Sequence, residues 1–343
     1  MEENITSTQS LREQLFSPLS ILKHVLLFVL TFLTTTVAGM IWRNESDLVN
    51  LEMGLVYSAS LLFILSCHEF GHFFAAWKHK VPATLPYFIP LPPIDVVGFG
   101  TLGAVIRTKR RISDTVALFD IGIAGPIAGF IASILVLAVG FMTLPDSSYL
   151  LAIHPDFDFS INNVPGLPQG STLTFGTPFL YAVMQTIFTS PGTYVPPMWE
   201  MYHYPLLITG WFGLFVTAMN LLPAGQLDGG HILYAMFPRQ HRFVARVTLA
   251  LLFLLGGMGF LPTILDLMNA TEIALQIVEY FNNFYAVFWA GWLFWALIIL
   301  FVIKVDHPEV EQLLELDMRR RILGVFSFVM FLICFPPAPI FFQ

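Results

Sequence analysis

The chain has 343 residues, of which 56% are hydrophobic, 15% aromatic and only 11% charged, against about 25% charged in an ordinary soluble domain. That composition excludes a soluble globular protein and points to an all-α polytopic membrane protein. The net charge of -7 decides little, because in a membrane chain the placement of Lys and Arg matters more than their sum. Only two cysteines are present, Cys67 and Cys334, both in apolar runs, so a disulfide framework is excluded.

The first eighteen residues are polar, with Glu2, Glu3 and Glu13 against Arg12; neither a secretory signal nor a transit peptide is expected. Seven apolar segments, near 19–41, 51–77, 115–144, 206–236, 243–262, 284–304 and 322–341, approach the roughly 20 residues needed to cross a bilayer core. Basic residues fix their orientation. Arg12, Lys23, the six from Lys78 to Arg111, Arg239, Arg242, Arg246, Lys304 and Arg319 to Arg321 fall on one side, fifteen of 16, which the positive-inside rule assigns to the cytoplasm. Only Arg43 lies opposite, and residues 145–238 contain no Lys or Arg. The expected topology has the N-terminus in the cytoplasm and the C-terminus outside, in a cell membrane. Three units are expected: a tail and first span over 1–50, a core over 51–236, and C-terminal spans over 237–343.

The second segment carries His68-Glu69-Phe70-Gly71-His72. On a helix, histidines four apart share one face and can reach a single Zn²⁺, with Glu69 beside them as general base. Cys67 points about 100° away from that face and reads as a small core residue. Three ionisable groups at membrane depth are costly and by default mark function. Beyond Lys78, the proline-rich run from Val81 to Pro93 and the Gly and β-branched run from Gly98 to Thr108 predict a small, partly re-entrant β-hairpin beside the metal, on the cytoplasmic side. In the third segment, Gly122, Gly125 and Gly129 allow close helix packing. Residues 145–205 read as an external lid or amphipathic cap, and His154 and His203 within it as surface histidines.

A catalytic zinc takes three protein ligands, and the candidate third lies in Asn220-Leu221-Leu222-Pro223-Ala224-Gly225-Gln226-Leu227-Asp228-Gly229-Gly230. Pro223 and the glycines should break the helix and turn Asp228 inward. His68 lies ten residues before Lys78 and Asp228 eleven before Arg239, so both sit about 15 Å from the cytoplasmic boundary. Asn220, about two turns deeper, is a candidate contact to substrate backbone or a developing oxyanion. His231 reads as a supporting residue near the membrane exit.

With H-E-F-G-H-F at 68–73, G-P-I-A-G at 125–129 and N-L-L-P-A-G-Q-L-D-G-G-H at 220–231, the chain resembles the site-2 protease family of intramembrane zinc metallopeptidases. The glutamine-containing last motif is similar to a bacterial and plastid branch. The resemblance implies a three-helix catalytic core, one Zn²⁺ per chain on His68, His72 and Asp228, Glu69 as catalytic base and Asn220 as a substrate or oxyanion contact. It implies a single-pass membrane protein as substrate, cut within its transmembrane segment to release a signalling fragment, with the lipid bilayer as surroundings and no nucleic-acid partner. No room is seen for the PDZ domain that some bacterial members carry. The rival reading is a transporter with an intramembrane metal site, since buried acids, histidines and broken helices also line ion pathways; no inverted repeat of either motif is found.

Overall fold

The computed structural model describes residues 17–92, 98–160, 164–165, 172–281 and 287–342. The expected polar tail with Arg12, part of the 145–205 segment and the start of the sixth apolar segment therefore lie outside the described residues.

Helix α1, Pro18–Trp42, begins with Ser17 capping the Ser20 amide and Pro18 in its first turn. It buries Thr31, Thr35 and Thr36, whose hydroxyls donate back to carbonyls four residues earlier. Such back-bonding lets hydroxyl side chains sit in an apolar helix. A 3₁₀ turn over Leu48–Gly54 leads into α2, Leu55–Lys78, which carries Lys78 in its last turn.

An antiparallel pair follows, β1 Tyr87–Pro90 and β2 Thr101–Val105, with Tyr87 opposite Val105 and Phe88 opposite Ala104. Phe28 of α1 meets Phe88 edge-on at 5.0 Å, so β1 lies against α1. The sheet has two strands only, which leaves the outer edge of β2 unpaired among the described residues.

Helix α3, Thr115–Met142, is capped by Asp114, which accepts from the Ala117 amide at 2.8 Å. The segment expected as an external cap contains α4 Ser148–Ile153, β3 Leu173–Phe175 and α5 Phe179–Phe188. It is fastened to the bundle: the Trp211 indole N–H donates to the Gly176 carbonyl at 2.7 Å, and Tyr181 is buried against Phe141.

The fourth apolar segment, expected as one span over 206–236, is two helices: α6 Pro205–Asn220 and α7 Asp228–Met236. Pro223 and Gly225 account for the break. Gly225 has φ +58°, donates its amide to the Val305 carbonyl at 3.1 Å, and has no room for a Cβ against Lys304. Helix α8, His241–Leu267, by contrast runs unbroken through Gly256, Gly257, Gly259 and Pro262, and Gly256 and Gly259 admit the backbone of Leu293 and Phe288. After α9 Thr271–Phe281 comes α10 Gly291–Ile298, which continues as a π turn over Ile299–Ile303. Helix α11, Met318–Cys334, stops before Pro336, and β4 Ile340–Phe342 pairs antiparallel with β3.

The protein is therefore mostly helical, with two small sheets. Among the described residues, four helices are long and apolar enough to cross a membrane: α1, α2 with its 3₁₀ lead-in, α3 and α8; α5, α6 and Gly291–Ile303 are shorter apolar helices. The centre is α2, α3 and α6, where Leu61, Leu118, Phe119, Leu137, Trp211 and Leu214 are fully buried. Apolar burial gives little drive between helices in lipid, so close packing and interhelical hydrogen bonds must hold them. Ser60 of α2 bonds Thr209 of α6 at 2.8 Å, a contact worth about 0.6–2 kcal/mol in a bilayer. Cys67 packs with Ile64, Ala132 and Val136.

One ion pair ties the ends of three helices. Arg320 of α11 donates through Nε and a terminal nitrogen to both oxygens of Asp120 on α3, each at 2.7 Å, and His79, which follows α2, meets the same carboxylate at 2.8 Å. Bidentate Arg–carboxylate pairs are among the stronger hydrogen bonds. Arg320→Ala is expected to lower the stability of the detergent-solubilised chain by about 1–3 kcal/mol, read as a lower melting temperature, whereas Arg319→Ala is expected to leave it within error.

Candidate metal centre

Helix periodicity puts His68 and His72 on one face of α2, and their Nε2 atoms lie 3.1 Å apart. Asp228, the first residue of α7, brings its Oδ2 to 3.3 Å from each of them. Both histidines are buried, at 5% and 7% exposure. The three ligand atoms thus form a near-equilateral triangle that can hold one metal ion. Tetrahedral coordination with bonds of about 2.0–2.2 Å sets ligand atoms about 3.3 Å apart, so the donors fit a zinc-sized ion. Two imidazoles and one carboxylate also suit Zn²⁺ chemically.

The imidazoles are held from behind. His72 Nδ1–H donates to the Ile121 carbonyl of α3 at 2.7 Å, which fixes the tautomer that leaves Nε2 as a lone-pair donor, the usual support of a metal-binding histidine. The glycines of α3 make the room. A Cβ at Gly125 would collide with the His72 ring, and one at Gly129 would sit 3.0 Å from His68 Nδ1. Gly71 of α2 in turn abuts the Ala124 carbonyl, so the two helices approach nearly backbone to backbone.

Glu69 is buried at 7% exposure, and the backbone of Ile106, just beyond β2, reaches its carboxylate. Asn220 is not two turns away. The break after α6 lets the chain fold back, and its Nδ2 lies 3.2 Å from His68 Nε2. All five residues singled out in the sequence line one cavity of about 430 Å³, together with Ile106, His231 and His307. Exposed Arg111 and Glu309 stand at its mouth.

Two features were not legible in the motifs. His231 Nδ1 meets His307 Nε2 at 2.7 Å, and His307 Nδ1–H donates to the Pro308 carbonyl at 2.6 Å. His307 therefore accepts from His231, whose Nε2 is left as an acceptor. Burial, with His231 and His241 beside it, pushes the His307 imidazole down to about 3. No pattern in the polar stretch around residue 307 marks this partner. The second feature is a correction: His154 and His203, expected at the surface, join Glu200 in a second cluster, and His203 is only 2% exposed.

Residues 56–255, more than half of the chain, match the profile of peptidase family M50. The chain belongs to that family. It is 34% identical over 189 residues to "Probable zinc metalloprotease EGY1, chloroplastic" of Arabidopsis thaliana, covering 54% of this chain and 30% of the relative. The protein of the same name in Oryza sativa subsp. japonica is 34% identical over 217 residues, 61% of this chain and 32% of the relative. "Probable zinc metalloprotease EGY2, chloroplastic" of Oryza sativa subsp. indica is 29% identical over 197 residues, 56% and 31% respectively. The chain spans about a third of the length of these curated relatives. No solved structure matches it.

Gly125→Ala is expected to displace the His72 ring and weaken binding of added Zn²⁺ by about 10–100-fold, the scale for disturbing a group that orients a ligand. Titration of the metal-stripped chain checks it, with Gly257→Ala, where a Cβ meets nothing, as control.

Proposed function

We propose that the chain is a zinc-dependent endopeptidase that cuts a transmembrane segment of a membrane-anchored protein. The observation that carries this reading is the convergence of His68 Nε2, His72 Nε2 and Asp228 Oδ2 at 3.1–3.3 Å inside an apolar helix bundle, with a buried carboxylate on the adjacent residue. In this reading the three residues are the ligands of one Zn²⁺, as the printed names of the relatives, zinc metalloproteases, favour.

When bound, the metal supplies Lewis acidity toward water and the scissile carbonyl. Glu69 takes the proton from the attacking water and returns it to the leaving amine. Its burial keeps it apart from bulk solvent, and its position one residue after His68 fixes its reach. Asn220 directs an amide donor toward the carbonyl oxygen as charge develops there. His231, positioned by His307, offers a further acceptor in the same cavity. A helical substrate must unwind before its carbonyls can be attacked. The unpaired edge of β2, with Leu102 and Val105 exposed and Ile106 touching Glu69, is placed to hold the unwound stretch by strand addition.

The topology belongs to the same proposal: about seven crossings, with the hairpin re-entrant and the core over 51–236 flanked by the first span and the C-terminal spans. The pairing of β3 with β4 supports it, since it sets the C-terminal strand beside the segment expected outside. The lack of Lys and Arg over residues 145–238 and the exposed Arg111 at the cavity mouth support a centre that opens toward the cytoplasmic side. A transporter would call for repeated halves, and membership of a peptidase family speaks against it.

Glu69→Gln preserves shape and removes the base. The variant is expected to bind Zn²⁺ as the parent chain does and to lose at least about 100-fold in cleavage of a membrane-spanning substrate reconstituted in liposomes. Undiminished cleavage would refute the assignment.

A further inference from the structure

The second cluster lies outside the cavity, at the opposite end of α6, and it repeats the donor geometry of the first. His154 Nε2 and His203 Nε2 are 3.0 Å apart, and Glu200 Oε2 lies 3.4 Å from the former and 3.5 Å from the latter. These separations again match the edges of a tetrahedron about a zinc-sized ion. His203 is oriented as metal-binding histidines are: its Nδ1–H donates to the Trp42 carbonyl at 2.6 Å, leaving the Nε2 lone pair toward the cluster. Glu200 is 4% exposed, and its Oε2 has no hydrogen-bond partner among the described residues.

A buried carboxylate oxygen with no donor is costly, and two imidazole nitrogens facing each other at 3.0 Å can share at most one proton between them. Among the described residues, no Lys or Arg forms an ion pair with this carboxylate. The one nearby guanidinium, of Arg43, lies over the Tyr149 ring and bonds the Met53 carbonyl instead.

We propose that His154, Glu200 and His203 form a second metal site that takes one divalent transition-metal ion of the Zn²⁺ class, distinct from the centre of His68, His72 and Asp228. Its role is to fasten. His154 closes α4, Glu200 and His203 immediately precede α6, and the His203 ring is held by the end of α1. One ion there joins the segment over 145–205 to the two helices on which it rests. The His154 side chain is 27% exposed, so an ion can enter the cluster from that side.

The test is a metal count on the full chain in detergent micelles, stripped with chelator, reloaded with Zn²⁺ alone and freed of excess by gel filtration. The parent chain is expected to hold two ions, Asp228→Ala one, His154→Ala one, and the double variant none. Glu200→Gln, which keeps the side-chain shape, is expected to repeat the His154→Ala result. In the Asp228→Ala background, Zn²⁺ is expected to raise the melting temperature, and X-ray absorption to report two imidazoles on the bound ion. If the Asp228→Ala chain takes up no zinc, or if His154→Ala and Glu200→Gln keep the parent count, the second site does not exist. A fault in the first site would show differently, as an Asp228→Ala count equal to that of the parent.

Discussion

An apolar interior cannot solvate an ionised side chain, and that constraint organises this molecule. Four ionisable groups, His68, Glu69, His72 and Asp228, are gathered in one cavity between buried apolar helix faces. Each must be served by another of the four, by a backbone group or by a cation. Ile121 serves His72 through its carbonyl and Ile106 serves Glu69 through its backbone. The side-chain Cβ of a helix tilts toward the N-terminus, so a side chain at Gly125 would cover the carbonyl one turn earlier, that of Ile121. Glycine there both admits the ring and uncovers its acceptor. In lipid, where helix association depends on close approach, the same residue joins α2 to α3 and holds the imidazole.

The break between α6 and α7 is the second half of that solution. A continuous helix would separate Asn220 and Asp228 by about 12 Å along its axis. Folding back at Pro223 and Gly225 brings both to the His68 ring, within 3.2 and 3.3 Å. Asp228 then stands at the start of a new helix, where the exposed amides and the dipole favour a carboxylate. The amide of Gly225 is satisfied by Val305, as an amide turned away from water requires.

Much of this was readable from residue spacing. The histidine pair is a helical repeat, Pro and Gly announce the break, and spacings of ten and eleven residues to Lys78 and Arg239 put Asp228 near the level of His68. What could not be read was contact between segments without a pattern. His307 lies in a polar stretch and gains meaning only from lying 2.7 Å from His231. His154 and His203, 49 residues apart, share no helical or strand period, so each in isolation resembled a surface histidine. The level of Asn220 differs from expectation for the opposite reason: the regular rise of a helix does not carry across a turn that reverses the chain. The pairing of β3 with β4 was equally silent, since two three-residue strands carry too little alternation to be seen.

The two clusters bracket one element. Helix α6 spans Pro205–Asn220, about 24 Å long, with Glu200 and His203 just before it and Asn220 and Asp228 at and beyond its far end. Its middle is held by Thr209 against Ser60 and by Gly210 and Gly213 against α3. The turn that sets Asn220 and Asp228 against the imidazoles and the segment that bears Glu200 and His203 are thus joined by one closely packed helix.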